Sequence, residues 1–279
     1  ETAINDIIAD LETGKLMDRL ICGDVGFGKT EVALRASFIV ANAGYQVALV
    51  APTTILVKQH FKSFFDRFKK SSLSIASLSR MTSLKDRKKI KDDLKSGNIN
   101  VVIGTHALLS NDIDFNNLGL LIVDEEQHFG VGQKEKIKEL QGNIHVLTLT
   151  ATPIPRTLAM SLYGDLDISV IDELPPGRKP IKTVHLYDNN RLKVWKFLKD
   201  EIAKGRQVYI VYPLIQESQA MDYRDLMDGY ESISREFPVP KYQISIVHGK
   251  MKATDKEYEN LDFGKNCKII NIFLTQKQM

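Results

Sequence analysis

Gly23-Asp24-Val25-Gly26-Phe27-Gly28-Lys29-Thr30 fits the spacing G-x-x-x-x-G-K-[ST], and each fixed position has a chemical reason. Glycines let the backbone turn tightly enough for successive N–H groups to converge on phosphate oxygens, and a helix starting just after them aims its positive end at the same point. Lys29 then reaches the β and γ phosphates, and the Thr30 hydroxyl is placed to ligate Mg²⁺. The setting agrees, since the strand-like run Arg19 to Cys22 precedes the loop and the helix-like run Glu31 to Val40 follows it. An ordinary glycine-rich turn carrying a chance lysine has no need of that order. A second constellation is Leu120-Leu121-Ile122-Val123 followed by Asp124-Glu125-Glu126-Gln127. A buried strand ending in two acids can hold Mg²⁺ through one carboxylate, Asp124, and polarise a water through the next, Glu125, as general base. These four residues alone would also suit a solvated acidic turn; the phosphate loop upstream favours the pairing of an NTPase. A third stretch, Thr150-Ala151-Thr152-Pro153-Ile154-Pro155-Arg156-Thr157, closes another strand with hydroxyls and two prolines. It forms a stiff turn able to hydrogen-bond an acidic neighbour, or merely a rigid turn.

Those residues need a scaffold, and the pattern around them supplies one. Short apolar runs at Arg19 to Cys22, Gln46 to Val50, Ser74 to Leu78, Asn100 to Ile103, Gly119 to Val123 and His145 to Thr150 alternate with helix-like segments. Runs that are nearly continuous in apolar residues suit parallel strands covered by helices on both faces. The expected fold class is therefore α/β, a doubly wound parallel sheet of the P-loop type over residues 1–172. Leu174-Pro175-Pro176-Gly177-Arg178-Lys179-Pro180 resists helix and strand alike, which places a linker at 173–182. A second α/β pattern follows over 183–279, with strands expected at Thr183 to Leu186, Gln207 to Tyr212, Gln243 to Val247 and Lys268 to Phe273. Helices are expected at Asn190 to Lys204 and Tyr223 to Phe237, about half of what a full domain of this kind needs.

Composition sets the outer limits. A chain of 279 residues with 43% hydrophobic and 26% charged residues holds about two ordinary domains and excludes disordered or collagen-like classes. Cys22 and Cys267 are too few for a four-ligand structural zinc site, and a reducing, cytoplasmic setting is expected. Each apolar run is interrupted well before the ~20 residues of a membrane span, so no membrane partner is expected. A net charge of +3 says nothing about polyanions, so any nucleic-acid reading rests on local features.

Taken in order, Gly23 to Thr30, Ala51-Pro52-Thr53-Thr54, Gly104-Thr105-His106, Asp124 to Gln127 and Thr150-Ala151-Thr152 resemble motifs I, Ia, Ic, II and III of the superfamily 2 helicases. The flanking stretches narrow the resemblance to the bacterial double-stranded DNA translocases RecG and Mfd, the transcription-repair coupling factor. MDRLICGDVGFGKTEVALRA and LLIVDEEQHFGVGQKEKIK are more similar to Mfd, whereas LYGDLDISVIDELPPGRKPI, GRQVYIVYPLIQES and YQISIVHGKMK are more similar to RecG. The resemblance implies two RecA-like domains, the second truncated. It also implies ATP and Mg²⁺ as cofactors, with Gly23, Asp24, Val25, Gly26, Phe27, Gly28, Lys29 and Thr30 around the nucleotide. Asp124, Glu125 and Gln127 would serve hydrolysis, and Thr150 and Thr152 would couple nucleotide state to domain motion. Pro52, Thr53, Gly104, Thr105 and His106 would touch the backbone of duplex or forked DNA, a role that suits small hydroxyl and backbone donors. RNA polymerase is implied as a partner on the Mfd side. Gln127 departs from the histidine usual at that place in the acidic box, which puts its part in coupling in question. Lys268 to Met279 does not continue into the motifs that bring an arginine to the transferring phosphate, so slow hydrolysis, or nucleotide and DNA binding without turnover, is expected of this chain.

Two further features have plainer readings. The basic stretch Lys58, Lys62, Arg67, Lys69, Lys70, Arg80, Lys85, Arg87, Lys88, Lys89, Lys91 and Lys95 could track a phosphate backbone, but helices there would turn such faces to water in any case. His60, His128, His145, His185 and His248 lack metal-ligand spacing and read as satisfied or surface histidines, and Trp195 reads as core. A P-loop kinase or GTPase is disfavoured by Thr150 to Thr157 and by the second α/β pattern.

Overall fold

The computed structural model describes residues 1–152, 166–173, 177, 181–213, 229–238, 241–247 and 269–275. Pro153 to Thr157, most of the expected linker, Val247-His248-Gly249-Lys250 beyond its first residue, and the first residues of the helix expected from Tyr223 lie outside them. The chain divides into two compact units, Glu1–Pro180 and Ile181–Met279.

In the first unit, β1 (Asp18–Gly23), β2 (Gln46–Val50), β3 (Ile75–Leu78), β4 (Val101–Gly104), β5 (Leu118–Asp124), β6 (His145–Thr150) and β7 (Asp167–Ile171) form one sheet. Its order is β3-β4-β2-β5-β6-β1-β7 and every pairing is parallel. Helices α1 (Thr2–Glu12), α2 (Lys29–Asn42) and α3 (Thr54–Phe68) cover one face; α4 (Leu84–Lys95) and α5 (Val131–Gln141) cover the other. Strand residues alternate between the two cores, as a pleat with period two requires. Val47 and Leu49 of β2 join Ile21, Phe64 and Ile122 beneath α1–α3, while Ala48 and Val50 join Leu94, Val102 and Ile137 beneath α4 and α5.

Six of these strands were legible as apolar runs. β7 was not, because Asp167–Ile171 is half exposed and keeps only Val170-Ile171 and Ile168 as apolar signal. What fixes it is polar: the buried Arg19 of β1 donates to Asp10 of α1 and, at 2.9 Å, to Ser169 of β7, whose hydroxyl donates to Asp6 at 2.6 Å. A buried guanidinium is tolerated when its N–H groups are matched in this way. The Asp10 hydrogen bond holds the Arg19 guanidinium firmly protonated.

In the second unit, α6 (Arg191–Ala203) and a helix at 229–236 pack on a three-stranded parallel sheet of order β8-β10-β9, made of β8 (Val208–Pro213), β9 (Gln243–Val247) and β10 (Ile269–Thr275). Trp195 is buried there, edge-on to Phe237 at 5.8 Å, with Ile202, Val208 and Ile233 around it. The strand expected at residues 183–186 is not formed: Val184 and Leu186 alternate as a strand would, yet both side chains are exposed, and the ladder partners of a strand are lacking among the described residues. No described helix is long and apolar enough to cross a membrane.

Candidate active site at the carboxyl edge of the large sheet

Because all seven strands run the same way, every strand ends on one edge, and the five motif segments are all strand ends. Pairing sets their heights. Ile21 of β1 pairs with Leu149 of β6, which pairs with Asp124 of β5, so the three stand level across adjacent strands. At about 4.8 Å per strand, the main chains of Asp124 and Ile21 lie about 10 Å apart, with β6 between them. Gly23 opens the phosphate loop two residues beyond Ile21, and Thr150 stands beside Cys22. In α/β sheets, ligands bind outside such strand ends.

The loop has the backbone its sequence demands. Gly26 and Gly28 have φ of +78° and +91°, left-handed values that glycine takes without strain. Asp24 braces the turn: its Oδ1 accepts from Val25 N–H at 2.6 Å and its carbonyl from Phe27 N–H at 3.2 Å. Gly28 is the N-cap of α2, without a side-chain cap, so the first N–H groups of the helix are left to a ligand. A Cβ on Gly28 would meet nothing within 4 Å, whereas one on Gly23 would sit 3.2 Å from Ile171 Cβ. The open side of the loop thus lies above it and the closed side against β7. Lys29 folds over the loop, Nζ donating to Gly23 O at 2.6 Å and Asp24 O at 3.2 Å, within reach of any phosphate held there.

Across the strand ends, the acidic box is held by a different device. Leu120, Ile122 and Asp124 share the face of β5 that meets α3, and the buried Asp124 meets His60 of that helix, Nε2–H donating to Oδ2 at 2.7 Å. Glu125 then takes φ +52° and ψ +56°, the one left-handed non-glycine among the described residues. That conformation costs an L-residue about 1–2 kcal/mol, and two contacts hold it in place. Glu125 N–H donates to Leu149 O at 2.8 Å, and the Glu125 carboxylate accepts from Ala151 N–H at 3.1 Å. Gln127 Nε2–H donates to the same carboxylate. Thr150 and Thr152 share a hydroxyl hydrogen bond at 2.8 Å, and Thr152 N–H donates to Thr150 Oγ1. The acidic box and the Thr-Ala-Thr turn therefore form one hydrogen-bonded unit through Glu125.

The donor set suits Mg²⁺. That ion keeps several waters and is usually held by one or two carboxylates together with substrate phosphates. Asp124 and the half-buried Thr30 hydroxyl would supply the protein's part, and the described residues hold no cluster of three or more acids, histidines or cysteines that would bind a metal alone.

A family model described as "DEAD/DEAH box helicase" matches residues 1–161. The chain belongs to the DEAD/DEAH box helicase family. This helicase chain is 43% identical over 258 residues to the ATP-dependent DNA helicase RecG of Aquifex aeolicus, covering 92% of its own length and 32% of the relative's. It is 44% identical over 263 residues to the transcription-repair-coupling factor of Haemophilus influenzae, covering 94% of itself and 22% of that protein. Among solved structures, RecG bound to a three-way DNA junction superposes with a TM-score of 0.76 at 36% identity, over 98% of this chain and 36% of the other. The chain thus spans about a third or less of these relatives, and each kind aligns along nearly all of it. Both α/β patterns accordingly have counterparts in RecG, and the RecA-like fold expected from the sequence is the one found.

On the helicase edge, the remaining motif residues divide by exposure. Thr53 is exposed and Pro52 and His106 are half buried, while Gly104 and Thr105 are buried. Gly104 packs so closely that a Cβ there would lie 2.4 Å from Leu78 O, and Thr53 Oγ1 caps α3 by accepting from Leu56 N–H at 3.3 Å. His106 opens onto a cavity of about 560 Å³ also lined by Arg87, Lys91 and Lys136. The basic residues mostly follow the solvated-face reading, and even cavity-lining Lys91 is paired. Lys91 bonds Asp112, Lys95 bonds Asp114 at 3.1 Å and Arg67 bonds Glu31 at 2.7 Å. The Lys91 and Ser110 hydrogen bonds lower the Asp112 carboxyl to about 2. Sequence reasoning gave His60 no role. The signal was present, since Val57, His60, Phe64 and Phe68 form the buried stripe of α3 at helical spacing, with a histidine in a slot otherwise apolar.

Proposed function

We propose that this chain is the motor portion of an ATP-dependent double-stranded DNA translocase or helicase of the RecG and Mfd kind, acting in DNA repair and recombination in the cytoplasm. The observation that carries the reading is the meeting of the phosphate loop, the Asp124-Glu125 pair and the Thr150-Thr152 turn on one sheet edge, level in register. In this reading residues 1–172 are the first motor domain, 173–182 the linker and 183–279 part of the second domain, a division that the two compact units support.

Each role follows from the chain's own groups. The loop Gly23 to Thr30, with Asp24, Val25 and Phe27 shaping the turn, would hold the ATP phosphates through its remaining N–H groups; Lys29 would move from the loop carbonyls onto the β and γ oxygens. Thr30 and Asp124 would hold Mg²⁺, which when bound would supply positive charge against the phosphates. Glu125 accepts a proton from the attacking water, its bond to Ala151 carries the change in charge to the turn that holds Thr150 and Thr152, and Gln127 senses the same change through its own bond to the carboxylate. Gln127 enters this role through its amide, which can both donate and accept. Pro52, Thr53 and His106, with the basic cavity beside His106, face the phosphates of duplex or forked DNA, for which the junction-bound RecG structure is the supporting precedent; Gly104 and Thr105 shape that surface from beneath. RNA polymerase becomes a second partner if the parent protein works as a coupling factor.

Phosphate release from ATP, with and without forked duplex DNA and with Lys29→Ala as the blank, tests the proposal. The expected result is slow, DNA-stimulated turnover that Lys29→Ala removes. Mg²⁺-ATP binding lost in Lys29→Ala but unaccompanied by turnover supports the second reading, a nucleotide- and DNA-binding module. Absence of nucleotide binding overturns both.

A further inference from the structure

We infer that His60 is a positioning residue for the metal-side carboxylate Asp124, acting on Mg²⁺ affinity; this rests on the ATP-site reading above. Asp124 is 7% exposed, and a carboxylate that deep in a protein is costly unless its oxygens are matched by donors. His60 supplies one at 2.7 Å, the length of a charge-assisted bond. An ionised carboxylate only accepts, so the proton in this bond sits on Nε2. The bond commits Oδ2 to the protein and fixes the carboxylate's rotation, so the metal-side role falls to Oδ1.

The helix beneath is built to hold the imidazole in place. Val57, Phe64 and Phe68 anchor α3 in the core on the same stripe, with Phe64 fully buried, and His60 is itself 7% exposed. An apolar side chain would serve packing in that slot; imidazole adds a donor aimed at the strand end. Hydrogen-bonded partners of metal ligands commonly set metal affinity by about 10–100-fold. A satisfied core histidine with no functional role makes a different prediction, because its loss would change stability and leave the metal dependence alone.

The experiment is equilibrium binding of a fluorescent ATP analogue, titrated with Mg²⁺ and repeated in EDTA. His60→Phe is expected to raise the Mg²⁺ concentration for half-maximal binding about 10-fold or more, with metal-free affinity unchanged. His60→Gln, which carries an N–H at similar reach, is expected to restore most of the loss. In an Asp124→Asn background, His60→Phe is expected to add no further shift, because the two residues act as one unit. A folded His60→Phe with wild-type Mg²⁺ dependence, or with metal-free affinity reduced as much as metal-bound affinity, overturns the inference. Should His60→Phe not fold, His60→Gln and His60→Asn decide, since asparagine is too short to place its amide where Nε2 lies: unequal Mg²⁺ dependence supports the inference and equal dependence overturns it. Failure of the unsubstituted chain to bind Mg²⁺-nucleotide instead overturns the ATP-site reading on which the inference stands.

Discussion

Two stretches of one sheet edge are built on opposite principles. Where β1, β6 and β5 end, the chain uses left-handed backbone, strained only at Glu125, to present groups outward. Gly26, Gly28 and Glu125 are left-handed, the N-terminus of α2 has no side-chain cap, and Glu125 is held out by Leu149 and Ala151. Where β2 and β4 end, the chain packs inward. Gly104 lies against Leu78 O with no room for a methyl group, Thr105 is 4% exposed, and the Thr53 hydroxyl is turned back to cap its own helix. Small residues occur in both stretches for unrelated reasons, positive φ in one and close approach in the other. A motif of small residues at a strand end therefore marks the edge without saying that each member touches a ligand.

The largest expected effect breaks the first stretch. Lys29→Ala removes the side chain folded over the loop and should reduce turnover by about 10²-fold or more, the scale for losing a preorganised charge at a reacting phosphate, while the thermal midpoint stays near wild type. The two glycines then sharpen the comparison. Gly104→Ala should lower stability by about 1–3 kcal/mol through overpacking against Leu78 O and Leu108, read by denaturant unfolding, with no selective loss of nucleotide affinity. Gly28→Ala meets open space but must hold φ +91°, so it should cost about 1–2 kcal/mol of local strain, expressed mainly as weaker nucleotide binding. Equal stability and binding profiles for the two variants would mean that the two stretches do not differ as described.

Legibility in the sequence follows the same division. The phosphate loop was readable because glycine spacing is a backbone requirement written in residue type, and six strands of the large sheet were readable because parallel strands covered on both faces are continuous apolar runs. The strand order, which brings Asp124 level with Ile21 although a hundred residues separate them, is a tertiary property that no local pattern encodes. β7 escaped because a half-exposed edge strand has little apolar signal and is fixed through Arg19 and Ser169. Residues 183–186 misled for the converse reason, an alternating pattern with no ladder to join. His60 was visible as a histidine on an apolar stripe, but its partner is 64 positions away.

Gln127 offers a smaller effect on the first stretch. Its amide bonds the Glu125 carboxylate at an exposed position, where a hydrogen bond to a charged group is worth about 1–2 kcal/mol at most. Gln127→Ala should therefore leave nucleotide affinity intact and reduce the stimulation of turnover by DNA a few-fold. Basal and DNA-stimulated phosphate release measured side by side give the answer. An unchanged ratio of the two rates would remove Gln127 from coupling and leave Glu125 and Ala151 as the link to the Thr-Ala-Thr turn.

The smallest effect comes from the opposite edge of the sheet and tests whether function is confined to the carboxyl end. His145 begins β6, and its Nδ1 accepts from Met17 N–H at 3.0 Å, which requires the neutral ring. Burial pushes its pKa below the ordinary 6.5, and the field of Asp10 opposes that shift only in part. The unfolded chain, with the ordinary value, therefore takes up this proton more readily than the folded one, and stability rises with pH through this window. The contribution is complete above 6.5 and is lost as pH falls below it. The thermal midpoint should accordingly drop between about pH 7.5 and about pH 5.5, and His145→Gln, whose amide oxygen can still accept from Met17, should flatten that slope. Mg²⁺-nucleotide affinity, measured where both proteins are folded, should be the same in the two, because His145 stands a full strand length from the loop. A pH slope unchanged by the substitution would assign the titration elsewhere, and a change in nucleotide affinity would show that the amino edge bears on the site after all.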